Sequence, residues 1–335
     1  MAGSIPRSAT SNSVAVTHGA TRSDEAGTDG TARGGEAGSA EPTAQSTLPE
    51  RRVRRGAKIR VTAAAWFAAV LLALIIGSAI AAPVIAPQDP FEQALEGRLA
   101  PPMWMPKGSP TRPLGADDLG RDILSRVLYG SRVSLLVGFT AAIIGAVVGT
   151  TLGLLSGYTD GYLSDGIMLL ADAQLALPFL VLAIGMIAVV GPSLTVLIVL
   201  AGISGWTAYA RVIRGMVLTL REQEFVLAAR ALGASTPRLL FRHICPNLIS
   251  TVVVLASLQL ASVILLESTL SFLGLGIQPP AASWGSMLGL GREYLNTAWW
   301  ISVFPGIVLM ATILSVSLGG DWLRDVLDPH LNHEQ

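Results

Sequence analysis

From position 61 onward the chain alternates long apolar runs with short polar interruptions. Six runs stand out, at about 61–82, 133–155, 167–190, 194–209, 248–272 and 300–318. About 20 helical residues cross a hydrocarbon core, so most of these runs are long enough to span a bilayer as helices. The expected fold is an all-α integral membrane protein with six transmembrane helices. Gly145, Gly149 and Gly153 fall four apart on one face of the second run and predict close approach of a neighbouring helix. Pro178 predicts a kink in the third run, where neighbours must satisfy the freed carbonyl. Residues 1–50 show the opposite pattern, rich in Gly, Ala, Ser and Thr and poor in large apolar side chains. Such a segment buries too little surface to offset its ordering entropy and is expected to be disordered.

The polar interruptions set the expected topology. Arg51, Arg52, Arg54, Arg55, Lys58 and Arg60 precede the first run, and Arg211, Arg214 and Arg221 follow the fourth. Positive charge marks the cytoplasmic side, so both termini are expected there. The loop at 156–165 is cytoplasmic by alternation, although it carries no Lys or Arg. Residues 83–130 and 271–295 are placed outside. In the first of these, Asp117 or Asp118 is expected to cap a helix running to Gly130. In the second, Gly and Pro turns punctuate a surface-lying or re-entrant segment, and Trp284, Trp299 and Trp300 suit the interface. The chain divides into a tail at 1–50, a flank with the first span and outer segment at 51–130, five further spans at 131–329, and a short tail at 330–335.

The stretch 222–246, EQEFVLAARALGASTPRLLFRHICP, is polar and Arg-rich yet carries helical punctuation. Phe225, Ala228, Ala229 and Leu232 recur at helical spacing and predict a short amphipathic helix. Gly233 is its left-handed stop. Thr236 reads as the cap of a second helix with Pro237 at its first position, and Pro246 ends or kinks that helix. The expected product is a helix–turn–helix knuckle between two spans. Its small residues admit a partner's backbone, and Arg221, Arg230, Arg238 and Arg242 suit carboxylates on that partner.

Composition narrows the chemistry. Of 335 residues, 51% are hydrophobic and 14% charged, against about 25% charged in soluble domains. Zero net charge argues against a nucleic-acid partner. A single cysteine, Cys245, excludes an intrachain disulfide, and four scattered histidines form no metal-ligand cluster. Neither lysine, Lys58 or Lys107, stands in a Gly-Lys-Ser/Thr phosphate loop, so the chain cannot bind ATP in that way. Within the runs, Gln259 and Glu267 are the candidates for a substrate pathway. An intramembrane carboxylate either lines such a path or pairs with a polar group on another helix. Asp172 is expected near the inner interface.

The 222–246 stretch resembles the cytoplasmic "EAA" loop of ABC importer permeases, E-A-A-x3-G-x9-I-x-L-P. Ala228, Ala229, Gly233 and Pro246 match, while Leu227, His243 and Cys245 depart from it. IAPQDP at 85–90, RPLGADDLGRDILSRVLYGSRVSLLVG at 112–138, and the 271–295 segment closely resemble the C-type subunit of dipeptide, oligopeptide and nickel permeases. The resemblance runs from about 51 to 329. It implies a type I importer permease fold and a multi-pass place in a prokaryotic cytoplasmic membrane. It also implies a second homologous permease subunit, two ATPase subunits that hold ATP and magnesium, and an extracytoplasmic substrate-binding protein. The coupling element would be Ala228, Ala229, Arg230, Ala231, Leu232, Gly233 and Pro246, with no cofactor bound by this chain and no catalysis of its own. The implied cargo is a short peptide, with nickel or another small solute as the alternative.

Two other classes fit less of the sequence. A stand-alone secondary transporter needs a proton or ion relay, for which only Glu267 and Asp172 are available, and no inverted repeat is evident. An intramembrane hydrolase lacks both HExxH and G-x-S-x-G. Neither accounts for the knuckle. Deleting residues 2–45 is expected to leave uptake by the assembled transporter within about twofold of wild type. A cellular uptake assay checks this, and loss of assembly would assign the tail a structural role.

Overall fold

The computed structural model describes residues 63–327, and the 1–50 tail, the basic flank at 51–60 and the C-terminal tail lie outside them. Helix α1, Ala63–Ile85, is followed by an irregular segment with one 3-10 turn, Leu95–Gly97. Helix α2, Ile123–Tyr158, runs 36 residues without a break. The expected outer helix and second span are therefore one element. Its cap is Asp122, whose carboxylate accepts from the Ser125 amide at 2.7 Å, rather than Asp117 or Asp118.

Helices α3, Tyr162–Ala176, and α4, Phe179–Val190, meet at an 89° bend. Pro178 thus breaks the third run rather than kinking it. It begins α4 without an N–H to give back, and Leu177 before it is extended, as the proline ring demands. Helix α5, Leu194–Leu220, continues eleven residues beyond the expected 209 (220 − 209). Then come α6, Glu224–Ala231, and α7, Thr236–Leu239, whose cap residue is Ser235 rather than Thr236. A π-helical turn, Leu240–Ile244, leads into α8, Cys245–Phe272. Pro246 falls in the first turn of α8 and does not end the helical path, which reads as one span-length unit from Thr236 to Phe272. Helix α9, Trp284–Gly291, precedes α10, Trp300–Leu327. Among the described residues, five helices are long and apolar enough to cross a membrane, and the bent pair α3–α4 makes a sixth if counted as one span.

Helix α2 sits at the centre, packed against α1, α5 and α8, while α10 closes the bundle against α1, α8 and α9. The contact between α2 and α5 is the most extensive. Its geometry follows from glycines at every fourth position of α2. A β-carbon at Gly149 would lie 2.4 Å from the Trp206 carbonyl oxygen, and one at Gly153 would lie 2.8 Å from that of Ala210. Gly145 and Gly157 repeat the approach, at 3.0 Å from the Gly202 oxygen and 2.7 Å from Val217 Cβ. The expected glycine seam therefore exists, extends one turn further, and meets α5 backbone. Where lipid tails are as apolar as leucine, such close van der Waals packing is the main attraction between helices.

Gly149→Ala is expected to lower the stability of the purified chain by about 1–3 kcal/mol, because the methyl group meets backbone that cannot rotate away. Gly166, with open space around its Cα, serves as the control. Thermal unfolding in detergent should show a lower Tm for Gly149→Ala and none for Gly166→Ala.

Candidate functional site

Two ends of the bundle carry the polar structure. At one end, α6, α7 and the π turn form the knuckle. Gly233 has φ +81°, and the Ala234 amide donates back to the Ala229 carbonyl at 3.1 Å, closing α6 with a left-handed cap. A side chain at 233 would meet nothing within 4 Å, so glycine is needed there for its backbone angle, not for space within this chain.

The knuckle is rooted. Val226, Leu239, Ile244 and Leu248 are buried with Ile213 and Val217 of α5, and Ala229 and Tyr158 pack against that cluster. Arg221, at the foot of α5, donates to Asp160 at 3.0 Å and to the Gly157 carbonyl at 3.3 Å. This ties the loop after α2 to the knuckle end of the bundle. The inward face of α6 therefore differs from the one read from the sequence. Val226 and Ala229 point in, while Phe225 and Leu232, assigned to the apolar stripe, point out at 45% and 88% exposure. Helical spacing allowed either face, and contact with α5 and α7 selected one.

Of the expected coupling residues, Ala228, Ala231, Leu232 and Gly233 share an exposed surface. Arg230 is exposed and lies over the Tyr158 ring at 5.9 Å. Ala229 turns toward the cluster, and Pro246 stands apart, beyond the π turn. Phe241, 73% exposed, and Leu227, 42% exposed, join this surface. Their sequence signal was apolar character on an otherwise charged knuckle.

At the other end, the two outer motifs pack into one junction. The buried Asp117 carboxylate accepts from the Leu119 and Arg121 amides at 2.9 Å and from Arg121 Nε at 2.7 Å, and it pairs with Arg126 Nε at 3.4 Å. Arg126 also donates to the Pro90 carbonyl at 3.3 Å, and the Gln88 amide donates to Ser125 Oγ at 3.1 Å. Burial pushes the Asp122 carboxyl above its usual range, and the two Ser125 hydrogen bonds pull it back. Trp284 and Trp300 are buried wedges here, not interface anchors. Their indole N–H groups donate to the Val127 and Ala116 carbonyls at 3.2 and 3.1 Å.

The chain matches the family described as "Binding-protein-dependent transport system inner membrane component" over residues 149–333. Residues 60–102 match the "N-terminal TM domain of oligopeptide transport permease C". The chain belongs to this family of transport permeases. It is 41% identical over 264 residues to the di/tripeptide transport system permease DppC of Pseudomonas aeruginosa, covering 79% of this chain and 87% of that one. It is 44% identical over 262 residues to the dipeptide transport system permease DppC of Escherichia coli, covering 78% and 87%. A putative peptide transport system permease of Brucella abortus is 39% identical over 287 residues, covering 86% and 93%. Among solved structures, a chain of the inward-facing MetNI methionine ABC transporter superposes with TM-score 0.52 at 18% identity, covering 62% of this chain and 98% of that one. That likeness carries the fold alone. The permease is all-helical among its described residues apart from one isolated bridge, Ala116 to Asp122, and has the type I importer architecture.

Within the permease spans, Glu267 is fully buried. It accepts from Ser271 at 2.7 Å, Ser134 of α2 at 3.2 Å and Ser268 at 3.4 Å, while Ser134 Oγ accepts from the Trp284 amide at 3.4 Å. Through these bonds it links α8, α2 and the start of α9. Gln259 is half-buried and donates to the Gly205 carbonyl at 3.4 Å.

Glu267→Leu strands three hydroxyls and is expected to cost about 1–3 kcal/mol, whereas Glu267→Gln keeps an acceptor and most of the stability. Thermal unfolding of the purified permease separates them. A fully stable Glu267→Gln that has lost transport would assign Glu267 to the pathway.

Proposed function

We propose that this permease is the membrane subunit of an ATP-driven importer of short peptides. It pairs with a second, homologous permease. Two ATPase subunits, holding ATP and magnesium, grip the knuckle at the cytoplasmic end. A substrate-binding protein delivers cargo to the junction at the other end. Both termini lie in the cytoplasm of a prokaryotic cell, and the chain sits in its cytoplasmic membrane. Hydrolysis belongs to the partner subunits, and this chain binds no cofactor.

The observation that carries this reading is the continuity of the knuckle with the spans. Helix α7 passes through the π turn into α8, and the knuckle's apolar cluster includes α5 and α8 side chains. A partner that moves the knuckle must therefore move the inner ends of two spans. The exposed Leu232, Phe225 and Phe241 supply apolar contact, with Arg230, Arg238 and Arg242 around them. Nucleotide drives the cycle only if it binds one state of the assembly more tightly than the other. The peptide assignment is supported by relatives named for dipeptide and di/tripeptide transport.

Gly233→Asp tests the knuckle. An aspartate at φ +81° carries backbone strain of about 1–2 kcal/mol but meets no atom of this chain within 4 Å, so the variant should still insert and fold, which thermal unfolding checks. The new carboxylate projects into the partner's contact. Uptake and binding-protein-stimulated ATP hydrolysis should fall at least tenfold together in proteoliposomes. Wild-type uptake in this variant would remove the knuckle from the coupling path.

A further inference from the structure

One charged pair belongs neither to the knuckle nor to the outer junction. Asp172 of α3 and Arg211 of α5 meet at 2.5 Å, with their side chains 63% and 47% exposed. Next to them, Gln174 pins α3 to α5, donating to the Ile203 and Ser204 carbonyls at 3.2 and 3.3 Å and accepting from Trp206 Nε1 at 2.7 Å. The pair is thus held in register by a separate polar clasp and has no need to carry the helix contact itself.

The surroundings show which kind of surface this is. Helix α1 presents Trp66, Phe67, Leu74 and Ile80 outward, each more than half exposed and each apolar, as a lipid-facing helix should. Helices α3 and α4 bury only a narrow stripe against the rest of the chain: Ser164, Ile167, Ala171, Ala183 and Ile187. Their remaining faces are open, and the ion pair stands on one of them. Charged side chains within spans face a bundle interior or a water-filled cavity. Arg211 follows 17 residues of α5 (194 to 210), about 26 Å at 1.5 Å per residue, which puts the pair near the inner end of the span.

We propose that Asp172 and Arg211 line the translocation pathway and form a binding site for the charged ends of the peptide in transit. This rests on the peptide-import reading. A free peptide carries an ammonium and a carboxylate. The pair offers one group for each: a carboxylate for the amino end and a planar guanidinium that can bind the carboxyl end through two parallel bonds. The existing contact uses one oxygen and one nitrogen, so a peptide can replace it without leaving either charge unpaired. Gln259 and Glu267, in contrast, are engaged inside the helix packing.

The test uses the complete transporter in proteoliposomes, with alanyl-alanine as cargo. Asp172→Asn and Arg211→Gln should each lower the peptide moved per ATP hydrolysed at least tenfold, with hydrolysis and thermal stability within twofold and a few degrees of wild type. Asp172→Glu and Arg211→Lys, which keep the charges, should retain at least half. In a Cys245→Ser background, Asp172→Cys should react with a membrane-impermeant charged thiosulfonate, whereas Leu74→Cys should not. Unchanged uptake in the neutral variants, or an unreactive thiol at 172 in every nucleotide state, overturns the site. Parallel loss of hydrolysis, uptake and stability overturns it too, since that marks a merely structural pair. A wild-type assembly that moves no dipeptide sinks the import reading itself, whereas wild-type uptake with unchanged variants sinks only the pair.

Discussion

Backbone-to-backbone contact between α2 and α5 is the constraint on which the rest of this structure depends. In water, apolar helices are driven together by the solvent. In a bilayer that drive is missing, and helices are held by how closely their surfaces fit. Gly145, Gly149, Gly153 and Gly157 remove side chains along a full face of α2, and α5 fills the groove with its own main chain. This brings the knuckle-side ends of α2 and α5 together, where Tyr158, Ile213 and Val217 join the cluster beneath the knuckle. It also fixes the register in which Gln174 reaches the α5 carbonyls.

The two ends of the bundle solve different problems by different means. The knuckle buries one small apolar face and leaves bulky side chains outside. Leu232 at 88% exposure on a helix whose neighbour Val226 is fully buried shows that division. The outer junction must hold irregular backbone in place with few helical bonds. It does so with charge: one buried aspartate satisfies two amides and two arginines, and two indoles reach carbonyls on distant segments. Removing either partner from such a network leaves a buried charge without compensation, which is why its members cannot be exchanged singly.

The polar groups within the apolar runs differ in how they are enclosed. Glu267 is enclosed by serine hydroxyls, one of which also accepts from the Trp284 amide of α9, so its cost in the membrane is met by local hydrogen bonds. Asp172 and Arg211 compensate each other and remain open. An enclosed group stabilises one arrangement, and an open pair can change partners.

Much of this was legible in the sequence. The apolar runs announced the spans because backbone in lipid must be satisfied within its own helix. The four-residue glycine spacing announced the α2 seam, and Gly233 announced the end of α6, because each is a local steric requirement. What the sequence left open was which face of an element is used. Phe225 and Leu232 share helical spacing with Ala229, and only contact with α5 and α7 decided that Ala229 turns inward. Asp117, Asp118 and Asp122 are all chemically able to cap α2, and the position of Ser125 and Gln88 chose Asp122. Glu267 and Asp172 are both carboxylates in apolar runs, and nothing in their immediate neighbours separates them. Their partners lie 133 and 39 positions away, at Ser134 and Arg211, because burial and pairing are properties of the packed bundle.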